Sequence, residues 1–242
     1  QIHQKLILRN MIKNSFLFFV SVLFFFGCKT NQNKNKTLLF VGCFTDKKNG
    51  EGIHVYTFDN NTGESVLKYT LDNITNTSFL KLSTNGRYLY SVVDSQMKYN
   101  GKIAAFKVDI NNVKIDLLNT QDCGGVNPAH LEIDRTGNYL TNSNYSDGSL
   151  SLFKINKDGT LTKNLQVLKF KDSSAIKGVQ DASHVHSSNF SIDAKYLFVH
   201  DLGADKIRRF HLDTSEEKLK NQQEIKVKLG SGPRHFTFHP NG

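Results

Sequence analysis

The chain of 242 residues has no segment with the regular apolar period of an amphipathic helix, and it contains only three prolines. Strand-like segments recur at regular spacing instead, which favours an all-β fold. There is also no run of basic residues interleaved with aromatic ones, although the formal net charge is +9. Because this charge is spread over the chain, it is typical of a solvated surface and argues against a nucleic-acid partner, while an anionic substrate stays compatible with it.

Cysteine is scarce as well, with three in the chain. Cys43 and Cys123 have neither the CxxC spacing nor the histidine spacing of a metal or redox site. We therefore expect both to be small buried hydrophobic residues. A disulfide between them is the alternative if the domain lies outside the cytoplasm.

The N-terminal part differs in composition from the rest of the chain. The first methionine is Met11, so we take the residues before it as upstream sequence. The apolar run Phe16–Phe26 is shorter than the about 20 residues that a membrane-spanning helix needs. It ends in a glycine and Cys28, which resemble the acylation site of a lipoprotein signal. We interpret residues 1–28 as upstream residues and a lipoprotein signal peptide, with Cys28 as the lipidation site, and residues 29–36 as a polar tether.

This interpretation places the domain in the cell envelope, in the periplasm or on the outer membrane. Attachment to the membrane would then run through the N-terminal lipid alone. A plain cleaved signal peptide and an uncleaved apolar anchor are the alternatives. If the signal interpretation is wrong, a cytoplasmic location is expected.

One sequence pattern returns four times as a strand-like segment, a turn and the start of a second strand. Aligned on Gly86, Gly137, Ala194 and Gly242, the copies recur about every 50 residues, the size of a four-stranded propeller blade. A β-sandwich would not repeat a motif of this size. The sequence therefore predicts a β-propeller of four-stranded blades over residues 37–242, a range in which about four blades fit.

Within a repeat, hydrophobic alternation and Asp-Gly pairs at turns predict four strands joined by hairpins. The strands predicted for two successive repeats are His130–Asp134, Tyr139–Tyr145, Leu150–Ile155 and Leu161–Phe170, then Ser187–Ser191, Tyr196–Leu202, Ile207–Leu212 and Leu219–Lys228. A further first strand is expected between Arg234 and Gly242. We therefore expect the chain to end inside a blade and to be part of a longer protein.

Polar residues recur where the first strand of each repeat begins. The first strands of all blades line the central channel of a propeller, so equivalent positions converge around one space. The first row of equivalent positions holds Ser78, Ala129, His186 and Arg234, and the second row holds Phe79, His130, Ser187 and His235. With His184 just before the third repeat of this pattern, the rows predict four histidines and one arginine at one mouth of the channel.

These residue types suit acid–base chemistry. The pKa of an unperturbed imidazole is near 6.5, so a histidine can accept or donate a proton at neutral pH. Arg234 can bind a carboxylate or phosphate through two hydrogen bonds, or stabilise an oxyanion. His184 and His186 have a spacing that some metal sites use, but no carboxylate or thiolate accompanies them, and we expect no metal. The histidines without such convergence are treated as background: His54, His200, His211 and His239.

Several short motifs, each weak alone, follow one another in the order and spacing of one family. They resemble the lactonase family of seven-bladed β-propellers, of the 6-phosphogluconolactonase-like and carboxymuconate-lactonising-enzyme-like type. The resemblance covers residues 38–242 and is carried by Val41–Thr45, Gly52–Asp59, Asn144–Ser149, His184–His186, Asp201–Asp205 and Gly230–His235. It departs at Cys43, where the family usually has Thr, and at Asp94, where a Glu often ends the second strand of the first blade.

The resemblance implies a seven-bladed whole, of which residues 37–242 form a partial lactonase-like domain. It implies an enzyme that hydrolyses a sugar lactone, 6-phosphogluconolactone or a related aldonolactone, to the open-chain acid without a cofactor. The expected partner is this small-molecule lactone, and a monomer is expected. The alternatives are a lactone-forming cyclase on the same fold and a non-enzymatic envelope propeller that binds a protein or ligand.

The cluster and the resemblance together assign catalysis to His130, His186 and Arg234. The assigned substrate-binding residues are His184, His235, Asn144 and Asp201. The competing interpretation is structural: a histidine at a strand start can tie adjacent blades together, and an aspartate at a strand end can fix a turn. If the glutamate that this family often has at the place of Asp94 takes part in catalysis, the shorter Asp94 puts that role in question.

Overall fold

The computed structural model describes residues 36–45 and 50–239. The predicted signal peptide, the lipidation site Cys28 and nearly all of the predicted tether lie outside the described residues. Lys36, assigned to the tether from the sequence, is the first residue of a strand. No helix in the described part of the chain is long and apolar enough to cross a membrane.

The described residues form four antiparallel sheets, each a blade of a β-propeller. Blade 1 holds β1 (Lys36–Gly42), β2 (Ile53–Asp59) and β3 (Ser65–Leu71); blade 2 holds β4 (Leu80–Leu82), β5 (Tyr88–Val93), β6 (Asn100–Asp109) and β7 (Lys114–Val126). Blade 3 holds β8 (Pro128–Ile133), β9 (Tyr139–Asn144), β10 (Ser149–Lys154) and β11 (Gln166–Lys169); blade 4 holds β12 (Val185–Phe190), β13 (Tyr196–Asp201), β14 (Lys206–Asp213) and β15 (Lys218–Lys226). One 3₁₀ turn, Leu202–Ala204, is the only helical segment among these residues. The predicted all-β fold is confirmed, with four strands in each of blades 2 to 4 and three in the described part of blade 1.

The hydrophobic core lies in layers between neighbouring blades. Tyr90 and Ile103 of blade 2 pack against Leu131 and Phe153 of blade 3, and a second layer joins blades 3 and 4 around Leu152. Because a central blade is covered on both faces, all side chains of β9 are buried, and its polar residues Thr141–Asn144 are hydrogen-bonded to one another or to Ser188 of blade 4. Burying one large apolar side chain contributes about 1.5–3 kcal/mol, so these layers hold the blades in register around the channel.

Two strands differ from the sequence-based prediction. The fourth strand of blade 3 begins at Gln166 instead of Leu161, because Leu161 makes an isolated bridge to Ile155 before the chain loops out and rejoins β10. The first strand predicted after Arg234 is absent from the described residues, where 229–239 form no ladder. The backbone N–H and C=O groups of a strand need hydrogen bonds to a neighbouring strand. Among the described residues, side chains bind the backbone of this segment instead.

Candidate active site

A cavity of about 560 Å³ opens at the end of the sheets where β4, β8 and β12 begin. The whole first row of equivalent positions lines it: Ser78, Ala129, His186 and Arg234. The convergence predicted from the repeats is therefore present. From the second row, Phe79 and His235 line the cavity, whereas His130 and Ser187 do not.

A β-bulge lies at two of the first-row positions, Ala129 and His186. The register of β8 against β9 shifts at Ala129, and the register of β12 against β13 shifts at the equivalent residue, His186. The extra residue in a bulge interrupts the strict two-residue alternation of a strand and re-aims the side chain. Ala129 and His186 thus face the cavity, while His130 and Ser187, which follow them, do not line it.

The contact between Arg234 and His186 is the centre of the site. Arg234 donates its Nε–H to His186 Nε2 at 2.8 Å, and because a guanidinium can only donate, His186 carries its own proton on Nδ1. That Nδ1 is buried and has no hydrogen-bond partner among the described residues. Burial and the charge of Arg234 lower the pKa of His186 to about 4. His186 is therefore neutral at neutral pH.

His235 is the more accessible imidazole of the cavity. Its ring meets the ring of His186 edge to face, with 4.8 Å between centroids, and the side chain is exposed. Partial loss of solvent around the ring and the positive charge of Arg234 lower its pKa from the ordinary value. Tyr145 completes this wall, edge-on to His186 at 5.7 Å.

His130, a predicted catalytic residue, lies in the layer beneath the cavity. Only 7% of its surface is exposed, and its ring packs against Phe79 at 4.5 Å and lies 6.2 Å from His235 between centroids. Burial and the charge of Lys81, followed by the neighbouring histidines, lower the pKa of His130 to about 3. Direct contact with a substrate stays a prediction that this placement does not favour.

The other predicted binding residues lie around the cavity rather than on its wall. His184 donates from Nδ1 to the carbonyl oxygen of Tyr145 at 2.9 Å and stacks on that ring, so it joins blade 4 to blade 3. Asn144 is fully buried and donates to Ser149 Oγ at 3.0 Å. Asp201 accepts the backbone N–H of His184 at 2.9 Å. These contacts suit the structural interpretation, and substrate binding by the three residues stays a prediction.

His200, treated as background in the sequence, supports the site without lining the cavity. Its Nδ1 lies 2.9 Å from Ser187 Oγ, and that hydroxyl donates to the carbonyl oxygen of Arg234 at 2.6 Å. Burial lowers the pKa of His200 to about 4. The sequence did distinguish His200, because the equivalent positions in the two preceding repeats are Val92 and Ser143, which cannot titrate.

Sequence reasoning also missed a polar part of the cavity wall. Gln96 and Asn127 line the cavity, and both have a positive φ, 61° and 62°, which is uncommon outside glycine. The backbone N–H of Gln96 donates to Asn127 Oδ1 at 2.8 Å, and Ser95 Oγ donates to the same oxygen at 3.1 Å. These residues stand in loops, where neither hydrophobic alternation nor the repeat alignment marks them.

Asp94 and the cysteines need three corrections. Asp94 follows β5 in blade 2, not in the first blade; it pairs with Lys102 at 3.5 Å and lies outside the cavity lining. Cys123 is buried as predicted, and burial raises its pKa to about 12. Cys43 is only half-buried, and because both thiols are free, the disulfide alternative is not realised.

Metal ligands are not assembled in this part of the protein. Among residues 36–45 and 50–239, no group of three or more histidine, cysteine, aspartate and glutamate side chains is arranged to hold a metal ion. The imidazoles at the cavity instead contact a guanidinium and aromatic rings. The arrangement is therefore suited to proton transfer and anion binding by side chains.

Fold and site together define a class: a β-propeller with imidazole and guanidinium groups at one mouth of its central channel. The chain belongs to the lactonase family, since the family model described as "Lactonase, 7-bladed beta-propeller" matches residues 38–242. The family resemblance expected from the sequence is thereby confirmed.

Individual relatives cover most of this chain. A 6-phosphogluconolactonase of Formosa agariphila is 53% identical over 207 residues, which cover 84% of this chain and 59% of the relative. The periplasmic gluconolactonase of Pseudomonas aeruginosa superposes with a TM-score of 0.78 at 28% identity, covering 86% of this chain and 59% of that structure. A Bacteroides fragilis protein of known structure gives a TM-score of 0.79 at 32% identity, with coverages of 89% and 61%. The chain thus spans about three-fifths of the length of these relatives.

Proposed function

We propose that this chain is part of a hydrolase that opens a sugar lactone to the open-chain acid. The observation that carries the proposal is the convergence of Arg234, His186 and His235 on one cavity. The names of the relatives, 6-phosphogluconolactonase and gluconolactonase, support the substrate class. The cavity of about 560 Å³ lies within the range of small-molecule sites.

Arg234 is the group that stabilises negative charge in this proposal. Its Nε–H is engaged by His186, which leaves both terminal amino groups of the guanidinium to face a ligand. When water attacks the lactone carbonyl, the oxygen of that carbonyl becomes an oxyanion. A charged donor held in place before the reaction stabilises this oxyanion more than it stabilises the neutral ester.

His235 is the proton acceptor. His186 uses its Nε2 as the acceptor for Arg234 and is therefore occupied, whereas the exposed His235 has no such bond to Arg234. Neutral His235 takes the proton of the attacking water as the carbon–oxygen bond forms. When the tetrahedral intermediate collapses, the ring carbon–oxygen bond breaks, and the imidazolium returns the proton to the departing oxygen.

Other residues of the cavity wall offer groups for the sugar hydroxyls. Ser95, Gln96 and Asn127 line the cavity, and side chains of this kind both donate and accept hydrogen bonds. Hydrogen bonds from Ser95 and Gln96 to Asn127 hold together the two loops that carry these residues, so their positions are set before a ligand arrives.

A panel of lactones tests the proposed function. The full-length protein is incubated with phosphorylated and unphosphorylated aldonolactones, and release of the open-chain acid is followed by proton release in weak buffer. We expect hydrolysis above the spontaneous rate for at least one of them. No acceleration for any lactone contradicts the proposal, and net lactone formation from an open-chain acid would favour the cyclase alternative.

The pH dependence of kcat/KM follows from the role of His235. A base acts in its neutral form, and the pKa of His235 lies below its usual value near 6.5. We therefore expect kcat/KM to rise with pH and to level off, with the midpoint of the rise below pH 6.5. His235→Gln should lower the plateau and remove this acid limb. A midpoint above pH 6.5, or the same limb in His235→Gln, would contradict the assignment.

We also propose an envelope location with a lipid on Cys28, which the N-terminal sequence and the periplasmic relative support. Cells labelled with palmitate should yield a labelled protein, and Cys28→Ser should abolish the label. Cys43→Ser is the matched control and should keep the label, because Cys43 lies in the propeller. Label retained in Cys28→Ser would contradict lipidation at this residue.

A further inference from the structure

The segment that carries Arg234 is held by side chains instead of a β-ladder. Residues 229–239 form no strand within the described part of the chain. Such a segment must place a guanidinium accurately to reach His186 Nε2 at 2.8 Å. The groups that fix its backbone therefore determine where Arg234 stands.

Asp205 provides the first of these groups. It ends the 3₁₀ turn after β13 with a φ of 49°, and only 2% of its surface is exposed. Its Oδ2 accepts the N–H of Gly230 at 2.6 Å, and its Oδ1 accepts the N–H of Gly232 at 2.7 Å. The other two donors are Ser174 Oγ at 2.6 Å and Gln180 Nε2 at 2.9 Å, both from the loop between blades 3 and 4.

The carboxylate is charged because of these four donors. Burial by itself would raise the pKa of Asp205, but the hydrogen bonds from Ser174, Gly232, Gly230 and Gln180 outweigh it and lower the pKa to about 2. The two backbone amides that it binds belong to glycines with φ of 78° and 53°, a conformation that glycine adopts without steric cost. Asp205 and the two glycines thus specify one geometry of this turn.

Only one residue separates that turn from Arg234. Pro233 follows Gly232, and its ring restricts φ. The carbonyl oxygen of Arg234 is in turn bound by Ser187 Oγ at 2.6 Å, with His200 behind that hydroxyl at 2.9 Å. The backbone is therefore fixed on both sides of Pro233, which leaves the side chain of Arg234 directed at His186.

We propose that Asp205 is a positioning residue of the active site: it holds Gly230 and Gly232 so that Arg234 meets His186 at the cavity. Asp205 does not line the cavity, so it acts on the ligand only through Arg234. The kinetic part of the proposal rests on the lactone hydrolysis proposed above. The structural part does not, because it concerns hydrogen bonds present without substrate.

Asp205→Asn tests this role in the full-length protein. The asparagine amide presents one oxygen and one NH₂ group. Two of the four groups that donate to Asp205 would therefore face this NH₂ group, which is itself a donor. The Ser174 hydroxyl can rotate and accept, but the N–H of Gly230 or of Gly232 cannot. We expect amide hydrogen exchange at that glycine, and exchange of the Arg234 Nε–H followed by NMR, to accelerate at least about tenfold. With a hydrolysed lactone in hand, kcat/KM should fall about 10- to 100-fold.

Asp134→Asn is the matched control. Asp134 is also buried and accepts four hydrogen bonds, from Thr136, Asn138 and Tyr139, but it does so in the turn at the far end of β8. Asp134→Asn should lower the melting temperature about as much as Asp205→Asn does. It should leave kcat/KM and the exchange of the Arg234 Nε–H unchanged, because no bond to the segment 229–239 is touched.

A double-mutant cycle separates positioning from general destabilisation. If Asp205 acts through Arg234, adding Asp205→Asn to Arg234→Ala should lower kcat/KM by less than about twofold more, because the group being positioned is gone. Full additivity overturns the proposal. So does a folded Asp205→Asn protein with unchanged exchange at Gly230, Gly232 and Arg234.

Two further measurements apply if the Asp205→Asn variant does not fold or if the wild-type protein is inactive. If Asp205→Asn does not fold, Asp205→Glu keeps the charge but moves the carboxylate by one methylene, and wild-type exchange at both glycines in that variant overturns the proposal. If the wild-type protein hydrolyses no lactone, the proposed function fails, while the exchange measurements still decide whether Asp205 positions Arg234.

Discussion

Replacing Arg234 with alanine is expected to lower kcat/KM for the hydrolysed lactone by about 100- to 1,000-fold, the range found when a preorganised oxyanion donor is removed. The side chain is exposed at the cavity, so its removal takes away little buried contact, and the melting temperature should change little. The loss should appear mainly in kcat, because the oxyanion exists only after water has attacked.

Two matched variants define what this result means. Arg234→Lys keeps the positive charge but loses the planar guanidinium that reaches His186 and a ligand together, so an intermediate loss is expected. Arg87→Ala removes an exposed arginine at the turn between β4 and β5 and should leave kcat/KM unchanged. If Arg234→Ala retains wild-type kcat/KM, the proposed site is wrong.

Arg208→Met is expected to lower the free energy of unfolding by about 3–5 kcal/mol, because it leaves a buried charge without its partner. Arg208 is 1% exposed and donates from Nη2 to Asp201 Oδ2 at 2.9 Å, and Asp201 has no exposed surface. The guanidinium also donates to Asp172 at 2.6 Å and to Glu224 at 2.7 Å, and it lies over the ring of Phe170 at 4.2 Å. Denaturant unfolding of the full-length protein measures the change.

The neighbouring arginine of the same strand provides the control. Arg209 points to the other face of β14, over Tyr196 at 4.8 Å, and is partly exposed, so Arg209→Met should cost less than about 1 kcal/mol. Adding Asp201→Asn to Arg208→Met removes the unpaired charge while keeping an acceptor for the N–H of His184. The double variant should therefore regain part of the free energy of unfolding that Arg208→Met loses. A cost of Arg208→Met equal to that of Arg209→Met would show that the buried pair is unimportant for stability.

Much of the fold could be predicted from the sequence because its information is local. The turn glycines Gly86 and Gly137 have φ of 69° and 75°, and the hydrophobic alternation on either side of them predicts hairpins without knowledge of distant residues. A returning pattern of this length then indicates blades. The exceptions are non-local: Leu161 pairs outside the main ladder, and the segment after Arg234 has no partner strand among the described residues.

The candidate site was predicted in part. The repeat alignment brought the first row of positions to one cavity, His186 and Arg234 among them. It could not show that a β-bulge makes His186 point differently from the next residue. Nor could it show that the bulge at the equivalent position of blade 3 leaves His130 buried in the layer below. Alignment identifies equivalent backbone positions, but the direction of a side chain depends on the register of the neighbouring strand.

The sequence by itself therefore determined the blades, their order and the first row of positions that line the cavity, because strand alternation, turn residues and repeat length are properties of short segments. Only the tertiary structure decided which of those residues can act. The bond from Arg234 to His186 joins residues 48 positions apart, and the lowered pKa values of His130 and His186 arise first from burial. Burial and charge proximity are created when the blades pack, so Asp205, His200 and Gln96 acquire their places in the site only in the folded protein.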